Sequence, residues 1–295
     1  SSSSAASDVY KRQRDDRGHA SDAFMRVVSA HSATPPSARD LIPAPYLGAL
    51  AAYAAAYLRG GLTGADAITL LNVDWRAQAA AATQHPFSPS GSLDLREWFQ
   101  SLSAMRSPSL NLVLPEPGHI AGLPGPPAAI QTALMTGQAI TILDGMIANH
   151  TVCADPPRTT ETPWLHLTRF PAPTPRPMEV LGSHASGTRE DLYRYLDSAH
   201  TRLQELDLVP DEPVRARTLP PGWLLMEAPP GLHPTHAHTA RLAGRLTVLA
   251  EEALAEHDAL RLSLSGEGGP FRPILIELRR KARATLQASL SHAEA

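Results

Sequence analysis

The chain has 295 residues, with 26 basic and 29 acidic side chains, a formal charge of −3, 13 histidines and a single cysteine. Such mild acidity argues against a general nucleic-acid binder, which carries a strongly basic surface. With Cys153 alone there is no internal disulfide and no cysteine-built zinc cluster, and no apolar run reaches the roughly 18 residues that a membrane-spanning helix needs.

Residues 1–13 are set aside as a non-native leader, because SSAASDVYKRQ (Ser3 to Gln13) resembles an in-frame translation of a sequencing-library adapter. Native translation is then expected to start at or near Met25. The stretch 14–40 is polar, contains Pro35 and Pro36 and lacks periodicity, so disorder is expected there. Only Lys11 and Lys281 are lysine, and alanine, proline, leucine and arginine abound, which is the codon bias of a GC-rich genome. Nothing resembles a signal peptide, and cytoplasm is the expected compartment.

An α+β domain is expected over 41–170. Pro45 to Leu58 reads as a helix, with Tyr46, Leu50, Tyr53 and Tyr57 on one face and Gly60–Gly61 as its stop. Thr63 opens a short helix through Leu71, with Asp66 placed as in a capping box. Between Leu93 and Met105, Leu95, Trp98, Phe99, Leu102 and Met105 mark another helical face. LNLVL (Leu110 to Leu114) is brief, apolar and bounded by prolines, the pattern of a strand. After a proline- and glycine-rich loop, Ala128 to Thr136 forms a helix stopped by Gly137. AITIL (Ala139 to Leu143) then returns as a strand, and Asp144–Gly145 turns it into Ile147 to Val152. WLHLTRF (Trp164 to Phe170) supplies a further strand, with Leu165 and Leu167 on one face.

The run PAPTPRP opens a linker at 171–187. Everything beyond, 188–290, reads as a helical region. Its helices are Arg189 to Leu206 with Thr188 as N-cap, Thr235 to Leu254, and Pro273 to Leu290. The expected fold class is therefore α+β: a small, mostly antiparallel sheet with packed helices, followed by a C-terminal three-helix region.

Two features carry candidate chemistry. Imidazoles are common metal ligands, and GLHPTHAHT holds His233, His236 and His238 close together. Against a shared ion stands the helix itself, because residues two apart point roughly 200° away from each other. The three bind a metal, decorate a solvated helix start, or serve a partner-contacting or pH-sensing role. The second feature is the shaped loop around LPGP, with His119, Leu123 and Gly125 as candidate binding residues on a rigid scaffold. Structural turn chemistry is its plain alternative. SGEGGP (Ser265 to Pro270) lacks a phosphate-loop fingerprint, and GSHASGT (Gly182 to Thr188) lacks nucleophile-elbow spacing. Arg279, Arg280, Lys281 and Arg283 line one side of the last helix, a pattern usually left to solvent.

LNLVLPEPGHIAGLPGP, WLHLTRFPAP and the closing alanine and leucine helices together are similar to an uncharacterised group of conserved proteins from high-GC actinobacteria. The similarity runs from about Leu41 onward. It implies a cytoplasmic globular protein and carries no activity that would transfer to any residue here.

Two functions compete. The first is a non-enzymatic intracellular protein that presents the LPGP loop and acts through a protein partner, with no cofactor and neither membrane nor nucleic acid as target. The second is a metal-dependent small-molecule hydrolase using His233, His236 and His238 with a carboxylate such as Glu227. Nucleic-acid contact through Arg279 to Arg283 is a third, lesser option.

Overall fold

Alternating apolar residues between Pro108 and Pro171 build a four-stranded antiparallel sheet in the computed structural model of the chain. The structure describes residues 41–78, 94–118, 120, 123, 126–145, 147–155, 166–171, 185–205, 219–264 and 271–291. The leader 1–13, the segment 14–40 and most of the expected linker 171–187 lie outside those residues. In chain order the elements are β1 (Ile42–Pro45), α1 (Tyr46–Leu58), α2 (Gly64–Gln78), α3 (Leu95–Ser103), β2 (Pro108–Val113), α4 (Pro127–Thr136), β3 (Ala139–Asp144) and β4 (Ile147–Asp155). Then follow β5 (His166–Pro171), α5 (Ala185–Glu205), β6 (Trp223–Met226), α6 (Pro234–Leu264) and α7 (Phe271–Ser291). The class is α+β: among the described residues there are seven helices and two small antiparallel sheets.

The larger sheet runs β2-β3-β4-β5. Asp144 and Gly145 turn β3 into β4, with Gly145 at φ 63°. Asp144 Oδ1 also accepts from the Ser107 amide at 2.9 Å, so the hairpin holds the start of β2 as well. Successive strand residues face opposite ways, and the register pairs Leu112 with Ile140 and Ala139 with Cys153. Gly48 of α1 packs on Leu112, whereas Ala129 and Ala133 of α4 pack on Ala139 and Cys153. Helices α1 and α4 therefore cover opposite faces.

Strand β2 is an edge, and an open edge is a template for unwanted pairing. Its outward Leu112 and Leu114 amides donate instead to Ser291 Oγ at 2.7 Å and Gln287 Oε1 at 3.2 Å, both on α7. The sheet belongs to a unit made of Asp40–Ala185, Pro221–Arg241 and Ala284–Ala295.

The same unit holds a two-stranded ribbon, β1 against β6, with Pro43 opposite Leu225 and Pro45 opposite Trp223. Proline is tolerated in a ladder only where its missing N–H would point away from the partner, and the period of two puts both prolines on that side. Pro45 then serves as N-cap of α1 at φ −62°, one residue before the helix rather than in its first turn. A proline cap offers no side-chain acceptor, so the first-turn amides must find one elsewhere. Tyr46 N–H donates to the Gly222 carbonyl at 2.9 Å, and Leu47 N–H donates to Gln138 Oε1 at 2.9 Å. The Gln138 side chain is buried and its Nε2 reaches the Gly222 carbonyl at 3.4 Å.

The second unit is helical. Its described residues come from Ser186–Pro220 and Leu242–Arg283. Leu192, Leu196 and Ala199 of α5, Leu246, Leu249 and Ala253 of α6, and Leu275, Leu278 and Ala282 of α7 are all buried. Tyr195 Oη donates to the Ile274 carbonyl at 2.8 Å. Arg283 meets Glu251 at 2.8 Å with both side chains largely buried, and Arg272 meets Asp258 at 3.0 Å. The Arg272 hydrogen bond is the main reason the Asp258 carboxyl lies below its ordinary value.

Some expectations shift. Thr63 and Asp66 exchange capping bonds as foreseen: the Asp66 amide donates to Thr63 Oγ1 at 3.1 Å, and the Thr63 hydroxyl donates to Asp66 Oδ2 at 2.6 Å. Helix α2, however, continues to Gln78. Helix α5 starts at Ala185, which leaves Thr188 inside it instead of capping it, and α6 runs on to Leu264. The region after 188 is not wholly helical, because Trp223–Met226 is a strand.

Replacing Gln138 by leucine keeps the bulk and removes both amide contacts, leaving the buried Leu47 N–H without its acceptor. Equilibrium urea unfolding should show a loss of about 2 kcal/mol with an unchanged slope. A loss below about 0.5 kcal/mol would mean that α1 does not depend on this side chain.

Candidate functional site

Helix α4 is a short element with two apolar faces. Its start and stop are set by local chemistry: Pro126 as N-cap, Pro127 in the first turn, and Gly137 beyond the end at φ 69°, its amide bonded to the Ala133 carbonyl at 2.8 Å. Ala129 and Ala133 form the inner stripe, and their small side chains let the backbone come close to the sheet. The outer stripe is Pro127, Ile130, Gln131, Leu134 and Met135, spaced i, i+3, i+4, i+7 and i+8. That spacing normally marks a face turned toward a core. Here it lines a shallow, open cavity of about 430 Å³. Met135 is 63 % exposed and Ile120, in the preceding loop, 41 %; they are the large exposed hydrophobic side chains among the described residues.

Of the loop residues singled out from sequence, His119 and Gly125 lie outside the described residues. Leu123 is half-buried, donates its amide to the Ile120 carbonyl at 3.3 Å and packs with Phe170 on the Ala129, Ala133, Ala139 and Cys153 cluster. Its side chain thus anchors the loop to the inner side of α4.

The histidines sit where α6 begins. His233 precedes the helix and its Nδ1 accepts from the Thr235 amide at 3.3 Å, a capping role. The His233 and His236 rings meet edge to face at 6.0 Å between centroids. His238 is exposed on the helix, two residues further round. The Glu227 backbone carbonyl accepts from Tyr53 Oη at 3.2 Å. Among the described residues no group of three or more His, Cys, Asp or Glu side chains is placed to hold a metal ion, so the geometry does not favour the hydrolase.

Nor is the basic run a bare cationic face. Arg280 and Lys281 lie 3.6 and 3.5 Å from the Glu277 carboxylate, and Arg283 is the partner of Glu251.

Sequence reasoning passed over His150. On β4 it is fully buried, and its Nε2 accepts from the Trp98 indole of α3 at 3.1 Å. An indole nitrogen only donates, so the imidazole carries its proton on Nδ1, which lies 2.7 Å from Asn149 Oδ1. One neutral tautomer satisfies both ring nitrogens. Burial, and then the Arg169 guanidinium, push its pKa from 6.5 down to about 4. Nothing in the pattern IANHTV announced this, because the partner is 52 residues away.

With this geometry in hand, comparison with known proteins adds one finding. Residues 48–180 match the family described as Rv1486c-like protein, N-terminal domain. Rv1486c is a mycobacterial protein, in keeping with the actinobacterial resemblance, and the description names no activity. The matched stretch contains α4, the LPGP loop, Trp98 and His150. Neither the curated proteins nor the solved structures give a match.

The His150 arrangement makes stability pH-dependent. In the unfolded chain the imidazole titrates near 6.5, and in the folded chain near 4. Between those values the unfolded state holds the extra proton, so stability is full above pH 6.5, falls as pH drops toward 4, and loses nothing more from this group below that. Urea unfolding at about pH 7 and pH 4.5 should show the native chain losing about 2.5 kcal/mol more than a His150→Gln variant. Equal losses would remove His150 as the cause.

Proposed function

We propose that the chain is a non-enzymatic intracellular protein that works by docking a protein partner on the outer face of α4, next to the loop carrying Leu123. The carrying observation is the second apolar stripe: Ile130, Leu134 and Met135 repeat at core spacing on the side away from the sheet. The prominent polar side chains described above are engaged within the fold instead. His150 is held by Trp98 and Asn149, His233 caps α6, and Arg283 is paired with Glu251. No described helix is long and apolar enough to cross a membrane, and the cytoplasm is the compartment this reading assumes.

A photo-crosslinking residue placed at Met135 tests the surface in cells. It should give a light-dependent adduct with a polypeptide, lost when Leu134 is changed to arginine, whereas the same group at the exposed Glu190 of α5 gives none. No adduct from position 135 would sink the docking surface.

A further inference from the structure

We propose that the polypeptide docking on this surface is a second copy of the same chain, with α4 packed antiparallel on α4 about a two-fold axis at Gln131. The inference rests on the docking reading and names its occupant.

Three observations favour a second copy. First, none of the outer-stripe residues Pro127, Ile130, Gln131, Leu134 and Met135 is charged, and the segment from Ile120 to Thr136 contains no Asp, Glu, Lys, Arg or His, although 19 % of the whole chain is Asp, Glu, Lys or Arg. In a two-fold contact every residue near the axis meets its own copy, so any charge there repels itself. A face without charge meets no such repulsion, and it offers nothing to steer a charged partner.

Second, the one polar residue of the outer stripe, Gln131, lies near the middle of Pro127–Thr136. A carboxamide has both two donors and an acceptor, so two copies of Gln131 can bond each other across an axis. No charged side chain has that property. Ile130, Leu134 and Met135 flank it, and antiparallel packing sets Leu134 and Met135 of each copy over the first turn of the other.

Third, the area sets the strength. A ten-residue helix is about 15 Å long, so the face covers a few hundred Å² per copy, below the roughly 800 Å² per partner of a standard stable interface. The dimer is therefore weak and reversible.

Sedimentation of the whole chain from about 5 to 500 μM tests this, with circular dichroism to confirm that each variant is folded. The native chain should pass reversibly from monomer to dimer. Met135→Glu should shift that equilibrium at least tenfold toward monomer. Gln131→Glu should do likewise, because it places two carboxylates at the axis, whereas an unrelated partner would meet only one. As a second readout, Gln131→Cys should form an intermolecular disulfide on oxidation, since the natural Cys153 is buried.

A native chain that stays monomeric over the whole range overturns the second copy, as does a dimer indifferent to both Met135→Glu and Gln131→Glu. The docking reading has its own readout. If the Met135 adduct contains a different polypeptide while the chain remains monomeric, the surface stands and this occupant falls. If no adduct forms and the chain is monomeric, both fall.

Discussion

The Gln138 carboxamide is the contact on which the sheet-bearing unit depends. Helix α1 begins after a proline that cannot cap it, so its first amides need acceptors from distant parts of the chain. Gln138 stands immediately before β3 and Gly222 immediately before β6. Together they accept from Leu47 and Tyr46, fixing one helix start and two strand starts at a single buried point. Gly222 is at φ 77°, a conformation that favours glycine, and an added Cβ there would lie 2.9 Å from Gln138 Nε2, so the carboxamide would have to shift. A stretch far along the sequence, Pro221–Arg241, thereby joins the same unit as Asp40–Ala185.

A second convergence covers the β2 edge of the sheet. Strand β2 would be an open edge, but Gln287 and Ser291 take its outward amides, and Leu290 between them packs on α1. At Gly48 an added Cβ would come within 3.1 Å of Leu290 and 3.2 Å of Leu112, so the missing side chain lets α1, β2 and the end of α7 sit close together. Side-chain amide and hydroxyl groups do along β2 what another strand would do.

Features set by local chemistry could be read from the sequence. Asp144–Gly145 turns β3 into β4, Gly137 stops α4, Thr63 and Asp66 cap α2, and the alternation of AITIL marks a buried strand. Features set by distant partners could not. Trp223–Met226 is four residues with no alternation of its own, and it becomes a strand because β1 lies beside it. Thr188 looked like a cap because it is a good one, yet the helix had already begun. His150 carries no signal in its neighbours, whereas the conspicuous trio His233, His236 and His238 attracted a metal reading that the splay of the α6 start does not support. The LPGP segment was noticed for its shape. The apolar stripe that follows it, Ile130 to Met135, reads in the sequence only as part of a helix, since deciding which of two apolar faces turns inward requires the sheet beneath.

That choice of face follows from size. Helix α4 lies directly over the Ala139 and Cys153 pair, and only a stripe as small as Ala129 and Ala133 lets a helix backbone sit that near. Turning the large stripe inward would force the helix away from the sheet and open the buried Cys153 to water. The small stripe is therefore committed to the fold, and Ile130 and Leu134, half-buried, and Met135, exposed, are left on the outer side. Apolar area that stays exposed there is free to supply free energy to an association. Because that surface is short, association must offset its entropic cost with little area. The contact proposed for it is one that concentration would switch.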